Sequence, residues 1–124
     1  MAELNEFTLS EWMINKDVGP AVLVLDGGVS THLEDLTSKP FPYRELWSSS
    51  LLLDEVNDGI IRQGHMDWIE AGADVLSSLT YQCHYEKELW PKHVTGGTID
   101  EGGMDKLWRK AIRLCHDATQ VKTT

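Results

Sequence analysis

The chain predicts an α/β fold made of two β/α units, and three observations carry that expectation. An unbroken apolar run, Val22 to Leu25, ends in an acid and two glycines, Asp26-Gly27-Gly28. A second stretch of strand character, Asp74 to Ser78, follows closely after Gly72. Between them lies a segment with helical periodicity. A continuous apolar run suits a strand covered on both faces, as in a parallel sheet. A strand, a helix and a second strand in that order make two parallel neighbours.

Residues 1–19 read as a polar lead-in, with Trp12 and Met13 in a short helix, and residues 20–124 as one domain. Gly19-Pro20 punctuates before strand one, Ala21 to Leu25. Ser30 to Leu36 predicts a short helix, broken by Ser38-Lys39-Pro40-Phe41-Pro42 because proline keeps the segment extended or turned. In the next helix Val56, Ile60, Ile61, His65, Trp68 and Ile69 share one face. Asp54, Asn57 and Asp58 are its candidate N-caps, and Gly72 fits a left-handed C-terminal turn. No clean period marks residues 81–97. The last helix carries an apolar stripe of Met104, Leu107, Trp108, Ala111, Cys115 and Ala118, with Thr98 and Glu101 spaced as a capping box.

With 124 residues the chain has material for one modest core. A net charge of −9 argues against a nucleic-acid surface, which needs a basic stripe. No apolar run approaches the roughly 20 residues that span a bilayer. The acidic start, Met1-Ala2-Glu3-Leu4-Asn5-Glu6, lacks the basic and apolar regions of a signal peptide, so the cytoplasm is the expected location. Two cysteines, Cys83 and Cys115, make no disulfide framework. Cys83-His84, Cys115-His116 and His93 invite a metal reading, but adjacent helical residues point about 100° apart and rarely share an ion. Cys115 on an apolar stripe reads as a small hydrophobe. His65 reads as a satisfied core histidine, and Trp47, Trp68 and Trp108 as packing residues.

Three motifs in order carry a resemblance: Asp26-Gly27-Gly28-x-x-Thr31-x-Leu33-Glu34, then Leu46-Trp47-Ser48 with Ile61-Arg62-Gln63 to His65, then Glu70-Ala71-Gly72-Ala73-Asp74 through Thr80-Tyr81-Gln82. They resemble the homocysteine S-methyltransferase family over roughly residues 20 to 120. The resemblance implies a (β/α)₈ TIM barrel, of which this chain would be the N-terminal fragment, its first two β/α units, since such a barrel takes about 250 residues. It implies methyl transfer from S-methylmethionine or S-adenosylmethionine to L-homocysteine, giving methionine. It implies that Asp26 holds the homocysteine amino group and that Gly27 and Gly28 offer N–H groups to its carboxylate. Ser78 and Thr80 would line the pocket, and Tyr81 and Gln82 would face the methyl donor. The residues alone leave Asp26 equally readable as a helix cap, and Ser78 and Thr80 as plain strand formers. Thr31 is expected to cap or pack, and Glu34 to make an ion pair or hydrogen bond.

In the family, zinc held by three cysteine thiolates lowers the thiol pKa of homocysteine. The resemblance places those ligands in a Gly-x-Asn-Cys and a Gly-Gly-Cys-Cys segment, and neither occurs in this sequence. No metal ligand is therefore carried over. A chain truncated in this way is expected to be inactive alone, and to self-associate or dock through an open sheet edge. A non-catalytic amino-acid-binding or interaction fragment, or a truncated gene model, is the alternative. His84 to Gly97 is longer and bulkier than the family pattern, so this stretch does not specify the donor.

Overall fold

The computed structural model describes residues 7–85 and 100–121. Four α-helices lie along them: α1, Leu9–Ile14; α2, Val29–Thr37; α3, Asp58–Glu70; and α4, Glu101–Thr119. Segments of 3₁₀ helix occupy Lys16–Val18, Arg44–Leu53 and Glu55–Asn57. The expected α/β fold of two β/α units is overturned, because no strand forms among the described residues. Where strands were expected there is a single parallel bridge, between Leu25 and Val75.

The neighbours of the bridge explain why it does not grow into a ladder. On one side the Asp74 side chain takes the Val24 N–H at 2.9 Å. The Val24 carbonyl accepts from both Asp74 and Val75, at 2.7 and 3.1 Å. On the other side Asp26 donates its own N–H to the Val75 carbonyl at 2.9 Å. Its carboxylate takes the Ser77 N–H, also at 2.9 Å. Carboxylates thus accept the N–H groups that a ladder would use, a competition typical of aspartate. Two extended segments without a third are also marginal as a sheet. Val22, Val24 and Leu25 stay 72%, 52% and 61% exposed, so the apolar run is not covered on both faces.

The core lies among α2, α3, α4 and the segment Arg44–Leu53. Leu33, Leu46, Leu52, Ile61, Met104 and Leu114 are buried within it. The contact of α2 with α3 is close at Gly64, where an added Cβ would stand 2.8 Å from Leu33 Cδ2. His32 Nε2 meets Asp67 Oδ2 at 2.7 Å across the same pair of helices. Lys110 ties α4 down, reaching Asp58 Oδ1 and the Leu52 carbonyl, each at 2.8 Å. Both partners of that ion pair are largely shielded from solvent, so it is less screened than a surface pair.

Local sequence accounts for the helix ends. Thr8 and Glu11 form a capping box that starts α1. Asp54 caps the turn Glu55–Asn57, which runs straight into α3. Gly72, at φ +110°, ends α3 with the Ala73 N–H bonded back to the Trp68 carbonyl at 3.0 Å, a Schellman-like closure. Helix α4 is capped by Asp100, whose carboxylate accepts the Gly103 N–H at 2.7 Å. Asp100 therefore holds the N-cap position expected of Thr98, which itself lies outside the described residues, as do His93 and most of the stretch after Tyr85. Among the described residues no helix is long and apolar enough to cross a membrane.

Candidate functional site

A cavity of about 310 Å³ opens where the Leu25–Val75 bridge meets the start of α2. Gly27, Gly28, Val29 and Ser30 form one wall; Ser77, Ser78 and Leu79 form another; Trp47 and Tyr81 complete the lining. Of the residues expected in a site, Gly27, Gly28, Ser78 and Tyr81 line this space. Asp26, Thr80 and Gln82 do not line it. Ser30 and Ser77 were not singled out by the sequence reading, and Trp47, in the Leu46-Trp47-Ser48 motif, was read there as a packing residue.

Asp26 sits at the back of this arrangement, only 8% exposed. Its backbone joins Val75 and its carboxylate joins Ser77, so it holds the 75–77 segment beside the glycine turn. Its charge also reaches two buried groups. Burial holds the His65 imidazole below its ordinary pKa, and Asp26 partly opposes that. Burial pushes the Cys115 thiol up, and Asp26 adds to the rise. His65 is buried as expected, but it is not satisfied: neither ring nitrogen has a hydrogen-bond partner among the described residues.

The two glycines act differently. Gly27 provides clearance, since a Cβ there would lie 2.6 Å from the Trp68 ring. Gly28 is the centre of an inverse γ-turn, with φ −73°, ψ 74° and the Val29 N–H bonded to the Gly27 carbonyl at 2.9 Å. Gly28 is also the N-cap of α2, and it offers no side-chain cap. Thr31 is exposed and does not supply one. The first turn of α2 holds no acid. An uncapped helix N-terminus at a cavity wall favours an anion, through its free N–H groups and the helix dipole.

On the opposite side Ser78 and Thr80 share a side-chain hydrogen bond at 3.0 Å, and the Thr80 N–H bonds the Ser78 carbonyl at 2.8 Å. This tight turn presents Ser78 to the cavity and turns Thr80 away from it. Trp47 has a backbone of φ 45° and ψ −129°, a conformation that costs a non-glycine residue roughly 1–3 kcal/mol. Its indole N–H donates to Glu34 Oε1 at 2.6 Å, and its carbonyl accepts from the Ser50 hydroxyl at 2.6 Å. Glu34 thus makes the hydrogen bond expected of it.

A resident metal does not fit the described residues. No three His, Cys, Asp or Glu side chains among them gather closely enough to hold one. The Cys83 thiol, pushed up to about 11 by burial, is far from the thiolate form that binds zinc.

A model of the family described as homocysteine S-methyltransferase matches residues 23–124. The chain belongs to the homocysteine S-methyltransferase family. It is 33% identical over 102 residues to homocysteine S-methyltransferase 4 of Zea mays, a match covering 79% of this chain and 26% of that one. It is 40% identical over 99 residues to selenocysteine Se-methyltransferase of Brassica oleracea var. italica, covering 77% of this chain and 25% of that one. Homocysteine S-methyltransferase 2 of Saccharomyces cerevisiae is 35% identical over 74 residues, 52% of this chain and 22% of its own. The chain thus spans about a quarter of the length of the curated relatives it matches. No solved structure matches. The site of this family member therefore rests on its own geometry.

Proposed function

We propose that the cavity beside Asp26 binds L-homocysteine as the methyl acceptor of an S-methyltransferase. The observation that carries the reading is the meeting, at one cavity, of an uncapped helix N-terminus, a row of small polar residues and two aromatic residues. The amino-acid carboxylate would take the N–H group of Ser30, that of Val29 being held by the Gly27 carbonyl. The amino group would lie toward Asp26, the nearby buried acid. The thiol-bearing arm would run along Ser78 and Leu79. The methyl donor is S-methylmethionine or S-adenosylmethionine, both sulfonium ions, and a sulfonium is attracted to aromatic faces such as those of Trp47 and Tyr81. In the reaction the homocysteine sulfur gives up its proton to solvent and attacks the methyl carbon. The donor's carbon–sulfur bond breaks, and the sulfonium becomes a neutral thioether.

For the 124-residue chain we expect binding without turnover. The three cysteines to which the family resemblance assigns zinc are not in the sequence, and both cysteines present are buried. Calorimetric titration with L-homocysteine tests the binding. Saturable binding that Asp26→Asn weakens about tenfold, the scale of one hydrogen bond to a charged group, supports the reading. Equal affinity in the variant refutes the role of Asp26, and no heat with the unsubstituted chain refutes the site.

A further inference from the structure

A second cavity, of about 510 Å³, lies beside the first. Glu34, Ser38, Lys39, Pro40, Phe41 and Trp47 line it. Trp47 is the residue that lines both. It stands between them in a backbone conformation that residues with side chains rarely adopt. A strained residue persists only where its surroundings over-determine it. Here the restraints are explicit. The Ser50 hydroxyl holds the Trp47 carbonyl, the Ser48 hydroxyl next in sequence pairs with Ser30, and Glu34 holds the indole N–H at 2.6 Å.

Of these restraints, the one from Glu34 acts on the ring itself. It comes from α2, the helix whose first turn forms another wall of the first cavity. One rigid helix therefore supplies both the anion-binding end of the site and the anchor of its aromatic wall. The bond to a carboxylate is charge-assisted and directional, so it fixes the ring's orientation as well as its position.

We propose that Glu34 is a positioning residue that acts through Trp47, setting the indole as the partition between the two cavities and so closing the first around its ligand. The ligand part of this proposal rests on the reading of the first cavity as a homocysteine site; the partition itself does not. Without Glu34 the indole is free to swing, the two cavities join, and an amino acid in the first loses a wall.

The test uses the full chain labelled with ¹⁵N, and the Trp47 indole N–H cross-peak, assigned by its disappearance in Trp47→Phe. In Glu34→Ala that cross-peak is expected to move while those of α3 and α4 keep their places. Glu34→Gln, which retains an acceptor oxygen at the same reach, is expected to restore it. The dissociation constant for L-homocysteine is expected to rise about tenfold in the alanine variant and to recover in the glutamine variant. A merely structural role would not give that rescue together with an undisturbed α3 and α4. Should Glu34→Ala lose its dispersed spectrum, Glu34→Asp makes the same test, since it keeps the charge and shortens the reach. An indole signal indifferent to Glu34, or an alanine variant that binds L-homocysteine as the unsubstituted chain does, overturns the proposal. If the unsubstituted chain binds no L-homocysteine, the reading of the first cavity fails. The partition is then decided by the Trp47 cross-peak in the same three proteins.

Discussion

Gly27, His65 and Cys83 each turn a local environment into a measurable consequence. At Gly27 the constraint is space, because its missing Cβ is filled by the Trp68 ring. Gly27→Ala is expected to destabilise the chain by about 1–3 kcal/mol, the usual cost of overpacking, seen as a lower urea midpoint at unchanged m-value. At His65 the constraint is desolvation. Its folded pKa lies below the ordinary 6.5, so the unfolded chain takes up a proton that the folded chain refuses. Stability is therefore unaffected by this group above about pH 6.5 and falls as the pH drops below it toward the folded value. Urea titrations between pH 7 and 5 should show that loss, and His65→Gln should flatten it. At Cys83 burial holds the thiol at about 11. Alkylation by iodoacetamide at pH 7.5 is then expected to be slow in the folded chain and fast in urea.

Helices were more legible in the sequence than strands. The face of α3 and the stripe of α4 follow from their 3.6-residue period, and Ile61, Met104, Ala111 and Ala118 are buried on them. Gly72 was readable as a terminator because few other residues accept its φ of +110°. Exposure on those stripes was less readable: Val56 is 80% exposed. The strands failed for a specific reason. Apolar composition at Val22–Leu25 says that burial would be favourable, but not that a partner is present to provide it. The polar residues Asp26 and Asp74 then take the pairing positions, which composition does not reveal. In the site, the glycine pair and Ser78 were legible from their motifs. Trp47 was not, because its role depends on a backbone kink and on Glu34, thirteen residues earlier. Helices α2 and α3 are joined by the pair His32 and Asp67. Asp67 is held below the usual carboxylate range chiefly by its hydrogen bond to His32. Its contribution is present above about pH 3.8 and is lost as the pH falls below that. Solvent exposure keeps this contribution small.

Across the molecule, apolar surface is distributed unevenly. The core among α2, α3 and α4 is well covered, while Met13, Ile14, Val22, Val24 and Leu25 near the N-terminal side remain open to solvent. Exposed apolar residues in numbers drive association when they form a patch. We expect the sedimentation coefficient of the chain to rise with concentration, and Val22→Lys with Val24→Lys to suppress that rise. A concentration-independent monomer would show that these residues do not cooperate.

The paired aspartates at the Leu25–Val75 bridge carry one more consequence. Each segment lends a carboxylate to the other's backbone, Asp74 to Val24 and Asp26 to Ser77, across 50 and 51 positions of chain. Two such clasps, one at either end of a single bridge, admit one alignment. A slip of one residue would strand both carboxylates at once and turn every side chain to the opposite face. Register here is thus keyed by two side chains rather than by the length of a ladder. A one-residue insertion between Leu25 and Asp26 would unlock it more completely than the loss of either clasp alone.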